Sequence, residues 1–128
     1  MNNPTACACG TASKLIFACS GAADVGAVAD QAARQLARDG TGRMFCLAGI
    51  GGRVPAILET TRAAAKLLAI DGCPQDCARK TLEVAGFSGF AHLRFGDLGM
   101  EKGKTPPTAD ALARAATAGR AMLQADPL

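Results

Sequence analysis

Residues 66–77 read KLLAIDGCPQDC, and this stretch contains the signals that decide the fold. An apolar run from Leu67 to Ile70 is preceded by a lysine and followed by an aspartate and a glycine, which is typical of a buried strand. Similar short runs end at Cys19 and at Cys46, so three cysteines stand at equal intervals at the ends of three predicted strands. Stretches with helical periodicity separate the runs. Each interval therefore corresponds to one strand and one crossover helix.

The segments between the predicted strands carry signals for the starts and ends of helices. Apolar residues from Val25 to Ala37 recur at helical spacing, and Gly40 is expected to end that helix. The second crossover is predicted to begin at Gly51-Gly52, with Pro55 near its first turn. The third helix is predicted to run from Pro74 to Gly86.

The last part of the chain completes the alternation. A fourth strand is predicted from Phe90 to Phe95, and Thr108 is expected to cap a final helix that runs to about Gln124. Right-handed crossovers then predict an α/β fold, a three-layer sandwich around a four-stranded, mostly parallel sheet of Rossmann-like type. We expect a mobile amino-terminal arm over residues 1–12 and one α/β domain over residues 13–128.

Composition and charge argue against several classes of protein. The net charge is +3, the basic residues are scattered, and no basic cluster is flanked by aromatic residues, so nucleic acid is not an expected partner. No apolar run is long enough to span a bilayer, and residues 1–10 lack the apolar core of a signal peptide. A cytoplasmic protein without a membrane partner is therefore expected. In that compartment, six cysteines are more often metal ligands or reactive thiols than structural disulfides.

The cysteines at the strand ends form the predicted functional site. The carboxyl ends of parallel strands meet at one edge of a sheet, so Cys19, Cys46 and Cys73 are expected to converge where α/β proteins bind ligands. Cys77 is predicted to lie one helical turn after Cys73 and to point the same way. Strands lie about 4.8 Å apart, and the thiolate ligands of a tetrahedral zinc ion lie about 3.8 Å apart. The four thiolates are therefore predicted to bind one zinc ion.

Other interpretations of these and neighbouring residues stay open. A free cysteine can fill a small apolar space in a core, and a redox centre would use the same thiols. Cys7 and Cys9 could cap the site, bind a second metal or form a reactive pair, or they could be an adventitious pair in the arm. His92 is predicted to be a satisfied strand residue and not a ligand. Asp71 is expected to orient the turn or accept backbone amides, or to reflect plain turn chemistry.

The motifs resemble those of the DGC family, named for the Asp-Gly-Cys that stands here at residues 71–73. The resemblance extends over nearly the whole chain beyond the arm, and it includes Cys19–Gly21, Cys46–Gly52, Cys77 and Leu98–Gly103. The family is described as binding zinc through cysteines. The resemblance thus implies Cys19, Cys46, Cys73 and Cys77 as metal ligands, and it implies no reaction.

Two functions follow as alternatives. The first is a cytosolic zinc-binding protein for storage, delivery or sensing; a closed site of four cysteines has no open coordination position and is poorly suited to hydrolysis. The second is a thiol-dependent redox or sulfur-transfer enzyme, in which Cys73 acts as nucleophile and another cysteine resolves the intermediate. The zinc-binding function is the preferred one. Whether the protein is an enzyme stays open, although the sequence favours a protein without catalytic activity. The metal ion is the one partner that the sequence predicts.

Overall fold

A computed structural model describes residues 13–125; the predicted arm, with Cys7 and Cys9, lies outside these residues. The described strands are β1 (Lys14–Ala18), β2 (Arg43–Met44), β3 (Lys66–Asp71) and β4 (Ala91–Arg94). They form one sheet in the order β2-β1-β3-β4, and every neighbouring pair is parallel. The predicted α/β fold with a parallel sheet is confirmed.

Helices cover both faces of the sheet and complete the predicted three-layer sandwich. The helices are α1 (Asp24–Arg38), α2 (Leu47–Gly51), α3 (Pro55–Ala63), α4 (Cys77–Val84) and α5 (Ala109–Gln124). One face of the sheet, with Ile16 and Leu68, packs against α1 and α5, and the other, with Phe17 and Ala69, packs against α2, α3 and α4. Within residues 13–125, none of the helices combines the length and the apolar character that crossing a membrane requires.

The strand order places a ligand crevice between β1 and β3. The chain passes from β1 to β2 along one face of the sheet, and then returns past β1 to β3 along the other face. The direction of winding therefore reverses between these two central strands. In open α/β sheets, ligands bind outside the carboxyl ends of the strands at such a reversal. Cys19 directly follows β1 and Cys73 lies two residues after β3, so both flank this crevice.

The start of α4 corrects the sequence prediction. The helix begins at Cys77 and not at Pro74, which lies in a turn. Asp76 precedes the helix in a left-handed conformation, with φ of 55°, and its side chain caps no amide. The Asp71 carboxylate instead accepts amides from the second and third residues of α4, at 2.7 and 3.0 Å. Asp76 is of a residue type that often caps helices, but its side chain makes no capping contact here, and Cys73 does not occupy the cap position.

The second crossover also differs from the single helix predicted from Gly51. It contains two helices, and the short α2 ends where the predicted helix was expected to start. Cys46 precedes α2, and its Sγ accepts a hydrogen bond from the Gly49 amide at 3.3 Å. A thiol is a weak acceptor and is not among the usual capping groups. The sequence therefore carried no recognisable start signal for α2.

The boundaries of the other elements agree closely with the sequence. The chain turns after α1 at Gly40, which has φ of 77°, a conformation that favours glycine. Thr108 Oγ1 accepts the Ala111 amide at 3.1 Å and caps α5 as predicted. The fourth strand is shorter than expected at both ends, because Phe95 already begins a short 3₁₀ helix that ends at Leu98.

Candidate functional site

Three of the four predicted ligands line one cavity at the carboxyl edge of the sheet. Cys19, Cys73 and Cys77 border a space of about 510 Å³ beside β1 and β3. Cys19 and Cys73 are half-buried, and Cys77 is exposed. Two loops that follow central strands and the first residue of α4 thus bring three thiols to the crevice that the topology creates.

The fourth predicted ligand, Cys46, lies on the other side of Cys19. It borders a neighbouring cavity of about 790 Å³, which Cys19 also lines, and it is exposed. This arrangement follows the strand order, because Cys46 comes after β2 and Cys73 after β3, with β1 between them. The ends of β2 and β3 are about two strand spacings, or about 9.6 Å, apart. The Cys46 thiol is also turned toward α2 by its contact with the Gly49 amide.

The sulfurs do not form a closed cluster in the structure. Among residues 13–125, no three cysteine sulfurs lie within 4.8 Å of one another, whereas ligands of a tetrahedral zinc–thiolate site lie about 3.8 Å apart. The spacing argument concerned neighbouring strands, whichever cysteine follows the middle one; β1 is the middle strand here, so Cys46 and Cys73 follow strands on either side of it. The donor type still suits zinc, since thiolates are soft ligands. Zinc binding would require these side chains and loops to draw together.

The Asp-Gly pair fixes the loop that carries Cys73. Asp71 is only 1% exposed, and its two carboxylate oxygens accept the two amides at the start of α4. The expectation that Asp71 accepts backbone amides is thus confirmed. Gly72 lies against α1 so closely that an added Cβ would be 2.7 Å from the Cβ of Val25. The loop is therefore held on one side by α4 and on the other by α1.

The turn after Cys19 is fixed by a charged pair on α1. Ser20 has φ of 51°, and its hydroxyl donates to Asp30 Oδ1 at 2.8 Å. Arg34 Nε donates to the other oxygen of Asp30 at 2.7 Å. This guanidinium, with help from the Ser20 hydroxyl, holds the pKa of the Asp30 carboxyl below its ordinary value of 3.8. Asp30 is therefore ionised at neutral pH and keeps the turn in place beside both cavities.

A loop near the carboxyl edge is tied to the start of α1. The Asp24 carboxylate accepts the amides of Gly103 and Thr105, each at 2.9 Å. These two amides hold the pKa of the Asp24 carboxyl below its ordinary value of 3.8. Lys102 belongs to this loop and lines the cavity with the three cysteines. The anchored loop therefore brings one positive charge to the thiols.

The structure also reveals a cluster that the sequence did not predict. His92 Nε2 lies 2.8 Å from Asp71 Oδ2 and 3.8 Å from Asp76 Oδ1, and both aspartates are buried. The prediction that His92 is a satisfied strand residue agrees with its contact to Asp71. Asp76 carried no signal, because the spacing of residues 71, 76 and 92 matches no metal motif. The sheet register, and not the sequence, brings β4 beside the end of β3.

Comparison with known proteins agrees with the motifs at this edge of the sheet. The DGC domain family matches residues 15–118, a range that includes Cys19, Cys46, Cys73 and Cys77. The chain is 35% identical over 88 residues to the anaerobic and virulence modulator AnvM of Pseudomonas aeruginosa. That match spans 69% of this chain and 67% of AnvM. No solved structure matches the chain.

Proposed function

The chain belongs to the DGC domain family, and we propose that it is a metal-binding regulatory protein of the cytoplasm that holds one zinc ion through cysteine thiolates. One observation carries the proposal: three cysteines from separate elements line a single cavity at the reversal point of the sheet. Three thiols are a soft donor set, which favours zinc over magnesium or calcium.

The four cysteines have different parts in the proposed site. Cys19, Cys73 and Cys77 already share one cavity, so they form the core of the site. Cys46 becomes the fourth ligand when its sulfur leaves the Gly49 amide and turns toward Cys19, with which it shares the neighbouring cavity. A site closed by four thiolates holds zinc without an open position for substrate.

A regulatory role is preferred to simple storage for two reasons. The similar protein AnvM is named a modulator, and the four cysteines lie on loops and helix starts that zinc must draw together. Metal binding would then change the position of α2 relative to the core of the site. A protein whose surface changes with metal occupancy can report that occupancy to a partner.

Zinc content and a pair of cysteine variants test the proposal. Protein purified without chelator should contain about one zinc per chain, as thiolate donors favour zinc. Cys73→Ser should lose tight zinc binding and stay folded by circular dichroism, because Cys73 is only partly buried at the edge of an apolar core that other side chains fill. Cys9→Ser is the matched control, since Cys9 is no ligand in this proposal. Metal-free wild-type protein with all thiols titratable would contradict the proposal.

A thiol enzyme is the second candidate, and the cavity itself favours it. A space of about 510 Å³ beside three thiols and Lys102 is larger than a zinc ion needs and could admit a small anionic substrate. In that case Cys73 would be the nucleophile and a neighbouring cysteine would resolve the intermediate. Metal-free wild-type protein in which one thiol reacts with iodoacetamide much faster than the others would move this candidate ahead.

A further inference from the structure

A second set of metal-ligating atoms lies between β3 and β4, separate from the cysteines. It consists of one imidazole nitrogen and two carboxylates, from His92, Asp71 and Asp76, with donor atoms within 4.8 Å of one another. The measured separations from His92 Nε2 are 2.8 Å to Asp71 and 3.8 Å to Asp76. Nitrogen and oxygen ligands of a tetrahedral ion at about 2.0–2.1 Å are about 3.3 Å apart. One measured separation is shorter and the other longer than that value, so small side-chain movements would bring the three donor atoms to the distances that an ion requires.

One buried carboxylate oxygen of this cluster lacks a hydrogen bond within residues 13–125. Asp76 is 5% exposed, and its Oδ1 makes no hydrogen bond within the described part of the chain. Buried polar atoms without a partner are uncommon and costly in folded proteins. The residue has a left-handed backbone conformation, its side chain does not cap α4, and its Oδ1 lies 3.8 Å from His92 Nε2. A bound cation would satisfy this oxygen.

Two arginines lie beside the carboxylate of Asp76 and compensate its charge. Arg94 Nε lies 3.5 Å from Asp76 Oδ1, and Arg79 Nη2 lies 3.4 Å from Asp76 Oδ2. The Arg94 side chain is 50% exposed and can turn into solvent, whereas that of Arg79 is 38% exposed and has a buried Nε. A divalent cation bound by the carboxylates would take over their charge compensation. Arg94 therefore competes with a cation for the same oxygen.

The geometry points to a binding site for a divalent transition-metal ion, formed by His92, Asp71 and Asp76. Imidazole and carboxylate together suit ions such as Mn²⁺, Fe²⁺ and Zn²⁺. The site is distinct from the cysteines in its donors, and it does not rest on the proposed function. The two sites share the loop from Gly72 to Asp76, so an ion here would also stiffen the segment that carries Cys73.

Mn²⁺ is the probe that separates this site from the thiols, because it prefers oxygen and nitrogen to sulfur ligands. Binding is measured on the full chain by the loss of the free-ion Mn²⁺ signal in electron paramagnetic resonance. We expect one Mn²⁺ per chain, and a loss of affinity of at least about tenfold in Asp76→Asn. Asp110→Asn is the matched control, since Asp110 is exposed on α5, and it should bind as the wild type does.

A second variant changes affinity in the opposite direction. Arg94→Gln removes the competing charge and should bind Mn²⁺ several-fold more tightly, whereas an ion-pair network without a metal role predicts no binding in any variant. If Asp76→Asn fails to fold, His92→Gln is measured in its place, because it removes a ligand and keeps a hydrogen-bond donor for Asp71. It should also weaken Mn²⁺ binding. Absence of Mn²⁺ binding to folded wild-type protein, or binding that neither Asp76→Asn nor His92→Gln weakens, would overturn the inference. Either of these results would leave the zinc proposal undecided, because that proposal is tested separately by zinc content and the cysteine variants.

Discussion

Asp71 Oδ2 lies 2.8 Å from Nε2 of His92. The contact joins the Asp-Gly-Cys motif at the end of β3 to β4, the strand beside it. The backbone partner of His92 is Ala69, so the imidazole reaches two residues along the same face of β3. Because Asp71 also holds the start of α4, one buried carboxylate connects β3, β4 and the helix that begins with Cys77.

Replacing Asp71 tests whether this carboxylate holds the cysteine loop. In Asp71→Asn one oxygen acceptor becomes an amide donor, which leaves a buried amide at the start of α4 without its partner. We expect a loss of about 1–3 kcal/mol in the free energy of unfolding, measured by urea denaturation. Asp97→Asn, at an exposed carboxylate, should be nearly neutral. Equal stabilities of the two variants would show that Asp71 does not organise the loop.

Gly72 is predicted to be required for its small size. A methyl group at this position would meet the Cβ and carbonyl oxygen of Val25 at 2.7 Å. Gly72→Ala should therefore displace the loop from α1 and destabilise the protein by about 1–3 kcal/mol. Gly21→Ala is a control on the neighbouring turn, because nothing lies within 4 Å of its added Cβ. Thermal unfolding measures the stability of both variants. A larger loss of stability in Gly21→Ala than in Gly72→Ala would contradict the close packing of Gly72 against α1.

Acid should release the loop that contains Lys102. The amides of Gly103 and Thr105 stabilise the ionised form of Asp24 and lower its pKa. The contact is complete above the unfolded-state pKa of about 3.9 and is lost as the pH falls through the lower folded-state pKa. In an NMR titration, both amide resonances should shift with a midpoint below 3.8. A midpoint above that value, or no shift, would contradict the anchoring role of Asp24.

The cysteine variants should differ in how much zinc affinity they lose. Cys46→Ser should weaken zinc binding without abolishing it, because Cys19, Cys73 and Cys77 share a cavity from which Cys46 is absent. Cys73→Ser removes one of the three cysteines that share the cavity, so it should reduce the affinity for zinc more than Cys46→Ser does. Competition with a chromophoric chelator measures both affinities. A greater loss in Cys46→Ser would place the site in the cavity between Cys19 and Cys46.

Regular spacing predicted the sheet well, because each cysteine follows one strand in a repeated strand–helix unit. The same spacing could not predict the strand order, which places β1 between β2 and β3. Cys46 is equally distant in sequence from Cys19 and from Cys73, yet it shares a cavity with Cys19 and not with Cys73. The interval between cysteines gives the length of one strand–helix unit. It does not show on which side of a strand the next strand lies in the sheet.

Long-range side-chain contacts explain what sequence patterns missed at the site. The start of α4 depends on Asp71, several residues earlier, and the setting of Asp76 depends on His92 in another strand. Capping rules consider neighbours in sequence, so they placed the helix start at Pro74. Contacts of this kind become visible only after the sheet register has been established.

Zinc K-edge X-ray absorption of protein purified without chelator tests the central claim most directly. The account predicts about one zinc per chain, with a first shell of about four sulfurs at about 2.3 Å. Loss of that sulfur shell in Cys73→Ser, with the shell kept in Cys9→Ser, would complete the assignment. Protein without zinc, or zinc surrounded only by nitrogen and oxygen at about 2.0–2.1 Å, would contradict the claim that the cysteines bind the metal.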